Sequence, residues 1–458
     1  MGTESRSERA SLIGRATYGY ANRYFVEASF RLDGSTRFTP DHRWGFFPTV
    51  SASWVLSNEA FFKDWRQAVI SNAKLRASTG VLGDDGAVGD FSYLLKYVYA
   101  NGAGYNIGGN FRQGITLDTS SFPNPDLQWG KTRDYNIGVD LGFWGNRIGL
   151  TFEHYWRYRT NLITAAPSYT FPPSTGVEGL TPSVNFGKVK AWGWDLTLTH
   201  RNSYGDFKYD VALTLSHTTD KVLDYGDEST VAPNRRRTGR RSLLWFMYEA
   251  DGLFRSEEEL AAYDVDQDGQ GNATLAPGDI KYKDQNGDKK ITDLDRIAVH
   301  NSSYPDMNGS LRLGAGYKGF FFSVMFQGVA GYRANITDYY TLYSNSLPKF
   351  QDYHMRDSWT PDNPGATYPR VKFATANDNN RKESTFWIKD CNFVRLKYIN
   401  VGYNFPEKLI RRIGMASASI SLTASNLHTW TDLEEMDPES QRGYPIQRSY
   451  GMSLNIGF

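Results

Sequence analysis

One cysteine, Cys391, stands in 458 residues. A lone thiol excludes an internal disulfide framework and a paired redox site. No apolar run approaches the roughly 18–20 residues that a membrane-spanning helix needs. Net charge is nearly absent as well: 51 Lys and Arg against 50 Asp and Glu leave +1, so no global field draws nucleic acid. The opening stretch, MGTESRSERASLIGR, has no apolar core of a secretory leader. Taken alone it suits a cytoplasmic protein; taken with the rest it leads us to expect a chain incomplete at its start. No HExxH, no GxSxG and no Cys–His pairing appears, and His42, His154, His200, His217, His300, His354 and His428 are scattered. We expect no enzyme.

Aromatics, by contrast, reach 15 % of the chain, Gly numbers 43, and the mean hydropathy is −0.54. That combination suits aromatic-rich strands in wet surroundings. The dominant pattern has period two. In 206–216, Phe207, Tyr209, Val211, Leu213 and Leu215 alternate with Lys208, Asp210, Ala212, Thr214 and Ser216. Residues 23–33 set Tyr24, Val26, Ala28, Phe30 and Leu32 against Glu27, Ser29, Arg31 and Asp33. The pattern recurs in 135–143, 148–158, 192–200, 311–317, 418–424 and 450–458. About thirteen such segments can be counted, many near the 9–11 residues of a tilted transmembrane strand.

The joins alternate between brief and extended. Brief ones lie near Ala21-Asn22, Gly145-Asn146, Ser203-Gly205 and Lys318-Gly319, with somewhat longer ones at 57–72 and 405–416. Extended ones cover about 33–43, 83–132, 163–188, 220–307, 331–391 and 430–445. Short turns at one rim and long loops at the other mark an outer-membrane barrel, with the turns periplasmic and the loops extracellular. One strand face is apolar and the other polar, as lipid outside and a wet lumen require. Trp44, Trp54, Trp144, Trp156, Trp192 and Trp194 fall at or near strand ends, where an aromatic girdle sits. Glu27, Asp140, Glu153 and Asp195 read as lumen lining. The expected fold is an all-β, antiparallel transmembrane β-barrel portion of about 13–14 strands in the outer membrane.

The last strand places Tyr450, Met452, Leu454, Ile456 and terminal Phe458 at every second position. This resembles the signal by which barrel-assembly machinery recognises its clients. Ordered blocks extend the likeness: NRYFVEASFRLDGSTRF (22–38), RWGFFPTVSASW (43–54), PGDIKYKDQNGDKKITDLDR (277–296), FVRLKYINVGYNFP (393–406), NLHTW (426–430), DPES (437–440) and GYPIQRSYGMSLNIGF (443–458). Together they resemble the C-terminal part of a SusC/RagA-family TonB-dependent outer-membrane transporter of Bacteroidota. The resemblance implies TonB-dependent uptake of oligosaccharides or oligopeptides beneath a SusD-like surface lipoprotein, driven by TonB–ExbB–ExbD through a plug inside a barrel of about 22 strands. No plug domain, signal peptide or TonB-contacting segment is recognisable here. Alternatives are a passive porin of about 14 strands, which requires its first and last strands to pair, and a secreted calcium-dependent carbohydrate-binding protein.

Within the longest loop, KDQNGDKKITDLD (283–295) has calcium-loop spacing. Asp284, Asn286, Asp288, the Lys290 carbonyl and Asp295 occupy the ligand positions of an EF-type loop, with Lys289 where Gly is usual. The stretch is a candidate structural Ca²⁺ site, or an Asx-rich turn solvated by water. DVDQDG (264–269) lacks an acid at the twelfth place and reads as a turn. Arg235, Arg236, Arg237, Arg240 and Arg241 suit a solvated loop, with lipopolysaccharide phosphates or an anionic substrate as the fitting partners. GAGYKG (314–319) matches a dinucleotide motif but precedes FFFSVMF, not a helix. Tyr339, Tyr340, Tyr343 and Trp359 are loop aromatics that could stack on sugars or pack against a lid.

Overall fold

The computed structural model describes residues 7–62, 69–95, 97–117, 123–165, 182–227, 231–337, 356–372, 378–441 and 444–458. Thirteen strands make up its principal sheet: β1 (Arg9–Tyr20), β2 (Tyr24–Ser35), β3 (Trp44–Val55), β4 (Ile70–Asp84), β5 (Gly130–Phe143), β6 (Ile148–Thr160), β7 (Lys188–Tyr204), β8 (Phe207–Asp224), β9 (Met307–Tyr317), β10 (Phe320–Ala330), β11 (Phe393–Asn404), β12 (Ser417–Trp430) and β13 (Ser449–Gly457). Their order in the sheet is their order in the chain. It is linear and ends on β1 and β13, each with one neighbour among the described strands. The closure that a passive porin requires is not found there. No helix of the described residues is long and apolar enough to cross a membrane.

From β4 onward the joins alternate between long and short; nearer the start, the β2–β3 join at 36–43 is shorter than the β3–β4 join at 56–69. The tightest turns run through the left-handed region: Ala21 and Asn22 have φ of 51° and 55°, and Lys318 and Gly319 have 45° and 91°. Such turns match the right-handed twist of the strands they connect. Most strands extend a few residues beyond their apolar alternation, as β7 does around 192–200, because pairing continues past the membrane band.

The chain divides into two compact units, residues 1–194 with 219–230 and 238–242, and the remainder. In the first, Tyr18 faces Val26 and Ala16 faces Ala28 across β1 and β2. Beyond the strand ends, Phe38, Phe47, Val88, Leu127 and Trp129 form a buried cluster. The Phe47 ring lies where a Cβ on Gly45 or Gly83 would sit, so both positions require glycine. Trp129 packs on Phe38 and Phe47 with ring centroids 5.1 and 5.4 Å apart, and its Nε1 donates to the Arg43 carbonyl at 3.1 Å.

In the second unit, Phe322, Val401 and Leu422 face one another across β10, β11 and β12, and all are exposed. So are Phe320, Ile420 and, on β13, Met452 and Leu454. A band of this kind on a water-soluble protein would be an aggregation surface; in a barrel it faces lipid. The steps from Val394 to Tyr403, at about 3.3 Å each and tilted about 40°, rise roughly 23 Å, close to the height of an outward apolar band.

The same unit holds a second core, built by the long joins. Tyr248, Leu253, Ile280, Tyr282, Ile291, Ala334, Ile336, Tyr368, Trp387, Cys391 and Leu433 pack together there. Short strands Leu244–Tyr248 and Arg296–His300 pair with each other, as do Ala250–Leu253 and Ile280–Tyr282. The loops are therefore a folded layer.

Candidate functional site

Two surfaces carry the chemistry: the polar strand face and the loop layer. On the polar face of the first unit, Arg76 on β4 reaches Asp140 on β5 at 2.8 and 3.1 Å and Glu153 on β6 at 2.7 Å. Gly138, opposite Arg76, leaves room for the guanidinium. The Thr151 hydroxyl donates to Asp140 at 3.1 Å, and the Asn136 amide to Glu153 at 3.3 Å. Arg157 on β6 forks onto Asp134 on β5 at 2.7 and 3.2 Å. Towards the long-loop rim lies a concavity of about 590 Å³ with Arg9, Arg15, Arg31, Glu27 and Asp33 in its wall. Arg15 meets Glu27 at 2.6 Å and Arg31 meets Asp33 at 3.2 Å. In the second unit Arg312 pairs with Asp210 at 2.8 Å. These charges of the polar face are paired with one another. Glu27, Asp140 and Glu153, read from the sequence as lining, all belong to these pairs.

The loop layer rests on a buried carboxylate. Asp279, fully buried, accepts from the Arg370 guanidinium at 2.8 and 3.1 Å, from the Asn380 amide at 2.9 Å and from the Ala276 backbone at 3.1 Å, with Lys372 at 3.2 Å. Gln267, equally buried, donates to the Ile280 carbonyl at 2.7 Å and to Asn379 at 2.9 Å, and accepts from the Tyr282 amide at 2.9 Å. Lys382 donates to the Gln267 carbonyl at 2.8 Å and lies over the Tyr248 and Tyr282 rings. Burial pushes its pKa down. The sequence shows nothing of this network beyond the block PGDIKYKDQNGDKKITDLDR, in which Asp279 lies.

A third join is tied to the strand face. Arg395 on β11, almost wholly buried, meets Asp437 at 2.7 Å and Glu439 at 3.0 Å, while Lys397 meets Glu439 at 3.1 Å. DPES is thus folded onto the polar side of β11. Glu435 accepts from the Tyr368 hydroxyl and lies 3.1 Å from Lys389. Burial opposes its charge, but those two partners outweigh burial and hold its pKa below the ordinary carboxylate range.

The calcium-like loop is well ordered by its own backbone. Asp284 accepts from the amides of Asn286, Gly287 and Lys289 at 3.2, 2.7 and 2.8 Å. Burial opposes the Asp284 charge, and these amides outweigh it and lower the pKa. Asp288 accepts from the Lys290 amide at 2.9 Å and from the Asn286 side chain at 3.0 Å. Asp295, fully buried, accepts from the amides of Gln285 at 2.9 Å and Thr292 at 2.7 Å, completing a capping box. Lys289 takes a φ of 61° at the position where such loops use glycine. The loop lies beside 264–269: the Asp266 amide donates to the Lys289 carbonyl at 2.9 Å and Lys289 pairs with Asp264 at 2.7 Å. Among the described residues no three His, Cys, Asp or Glu side chains are grouped to hold a metal ion. The donors are hard oxygens, the type calcium takes, but amides engage them.

Trp359 is partly buried against the loop core, its ring packed where a Gly278 side chain would be. Tyr339, Tyr340 and Tyr343 lie outside the described residues. Tyr450, Met452, Leu454 and Ile456 alternate along β13 opposite Ala424, Leu422, Ile420 and Ala418, and Phe458 follows the strand, exposed.

The sequence profile of the family described as TonB dependent receptor-like, beta-barrel matches residues 2–427. TonB-dependent receptor P26 of Formosa agariphila is 28 % identical over 479 residues, covering 98 % of this chain and 46 % of that receptor. TonB-dependent receptor SusC of Bacteroides thetaiotaomicron is 25 % identical, over 99 % of this chain and 44 % of that receptor. The chain spans about half the length of the relatives it matches. Among solved structures, the RagAB peptide importer in its open-open state gives a TM-score of 0.75 at 21 % identity, covering 99 % of this chain and 47 % of that one.

Proposed function

The chain belongs to the TonB-dependent receptor-like β-barrel family of the outer membrane, and from that premise we propose that it supplies barrel wall and extracellular loops to a nutrient importer. Oligosaccharides or oligopeptides are the proposed cargo. A SusD-like surface lipoprotein is the proposed partner, with energy from TonB–ExbB–ExbD acting through a plug domain. The observation that carries the reading is the coexistence of a neutralised charged wall with a loop layer that has its own buried core.

The test is uptake by whole cells. Labelled oligosaccharides and oligopeptides should enter cells in which this barrel portion is assembled with a plug domain, and fail to enter when a protonophore collapses the energy supply. Entry unaffected by the protonophore would sink the TonB-dependent reading. Purification from solubilised outer membranes should bring a surface lipoprotein with it.

Calcium at Asp284, Asn286, Asp288, the Lys290 carbonyl and Asp295 is proposed as a structural ion of the extracellular loop. Oxygen-only donors support it, and an extracellular module of this type works at about 10⁻⁴–10⁻³ M calcium.

A further inference from the structure

The join 405–416 differs from the other short joins of its unit because it contains a helical turn. Glu407–Ile410 is an α-helix, and Arg411–Ile413 continues it as a 3-10 turn that ends on Gly414 at a φ of 76°. Ile410 is buried, whereas Leu409 and Ile413 are 55 % and 66 % exposed. Those two stand four residues apart, on one side of the turn. Lys408, Arg411 and Arg412 are exposed beside them, with Glu407 the single acid, accepting from Arg411 at 2.7 Å.

This turn is continuous with the lipid-facing band. Tyr403 and Phe405 occupy alternate positions on the face that carries Val401, and their rings are 5.3 Å apart. Tyr403 also packs on the exposed Phe320 at 4.6 Å, so an aromatic run leads to the first residue of the join. Phe405 remains in the sheet pattern, its amide donating to the Ala418 carbonyl. Exposed Tyr204, Phe207 and Tyr317 lie at the other short joins of the unit, where a girdle meets headgroups.

We propose that the 405–416 join is a foot on the periplasmic leaflet of the outer membrane. Leu409 and Ile413 seat at the acyl boundary, and Lys408, Arg411 and Arg412 bind the phosphates of anionic phospholipid. Two exposed aliphatic groups beside excess positive charge, at the end of an aromatic band, have the chemistry of an interfacial amphipathic element. Anionic headgroups supply the complementary charge.

The test uses the full chain in vesicles of phosphatidylcholine with or without phosphatidylglycerol. Nitroxide labels are placed singly at Leu409→Cys, Ile413→Cys and, as a turn exposed to water, Asn22→Cys, in a Cys391→Ala background. Collisions with oxygen, relative to a water-soluble nickel chelate, should be several-fold more frequent at 409 and 413 than at 22. The ratio should rise about twofold with phosphatidylglycerol, and Lys408→Gln/Arg412→Gln should remove that rise. Ratios at 409 and 413 equal to that at 22 would overturn the proposal. High ratios indifferent to lipid charge and to the double substitution would overturn the phosphate contact.

Discussion

Arg370 grips the fully buried carboxylate of Asp279 through two hydrogen bonds, of 2.8 and 3.1 Å, across 91 residues of sequence. The pair fastens one long loop to the next. Asp279 is shared by Arg370, Lys372, the Asn380 amide and the Ala276 backbone, so removing it leaves all four without their common acceptor, at a cost of about 3–5 kcal/mol. Asp279→Ala should therefore melt the loop layer while the strands stay paired. Limited proteolysis should show new cuts within 225–306 and 356–392, with unchanged β-sheet circular dichroism. Unaltered loop protection would mean that the pair is dispensable.

Acid should loosen the same layer at a defined place. Burial opposes the charge of Asp268, but the Thr274 hydroxyl and the amides of Thr274, Gln270 and Asn272 outweigh it and hold the pKa at about 2. Because the folded value is depressed, this stabilisation is complete above the unfolded value near 4 and is lost as pH falls through about 2. Amide exchange at Gln270, Asn272 and Thr274 should accelerate over that window. Asp268→Asn should exchange quickly already at neutral pH and abolish the local acid step.

Cys391 should be inert. It is fully buried, and burial pushes its thiol up to about 11. Iodoacetamide at pH 8 should leave the folded chain unmodified and react after denaturation. Reaction in the folded state would show that the loop core opens.

Calcium is tested by titration calorimetry on wild type and on Asp284→Ala/Asp288→Ala. Wild type should release heat with a midpoint in the range of about 10⁻⁴–10⁻³ M, and the double variant should not. Identical heats would remove the site. The Asp284 carboxylate accepts three amides and retains a lone pair with which to take the ion.

What could be read in the sequence follows from which forces leave a local pattern. Strand faces are written every second residue, so β8 and β13 were visible as alternation, and loop parity followed from counting. The Asp279–Arg370 pair leaves no such trace, because its partners meet only after two loops have folded. Arg395 was equally silent: within FVRLKYINVGYNFP it reads as one more inward charge, and only the fold brings Asp437 and Glu439 to it. Residues 284–295 show the converse. Their spacing was legible, and the structure adds that Asp295 caps its own turn and that Lys289 ties the stretch to Asp264.

The most direct measurement of the central claim, a barrel wall with lipid on one face and water on the other, compares two adjacent residues of β12. In a Cys391→Ala background, Leu422→Cys and Thr423→Cys are presented in outer membranes to a water-soluble maleimide and to a lipid-soluble one. The account predicts that the water-soluble reagent modifies Thr423→Cys alone, and that the lipid-soluble reagent modifies Leu422→Cys. Equal modification of both by the water-soluble reagent would contradict it.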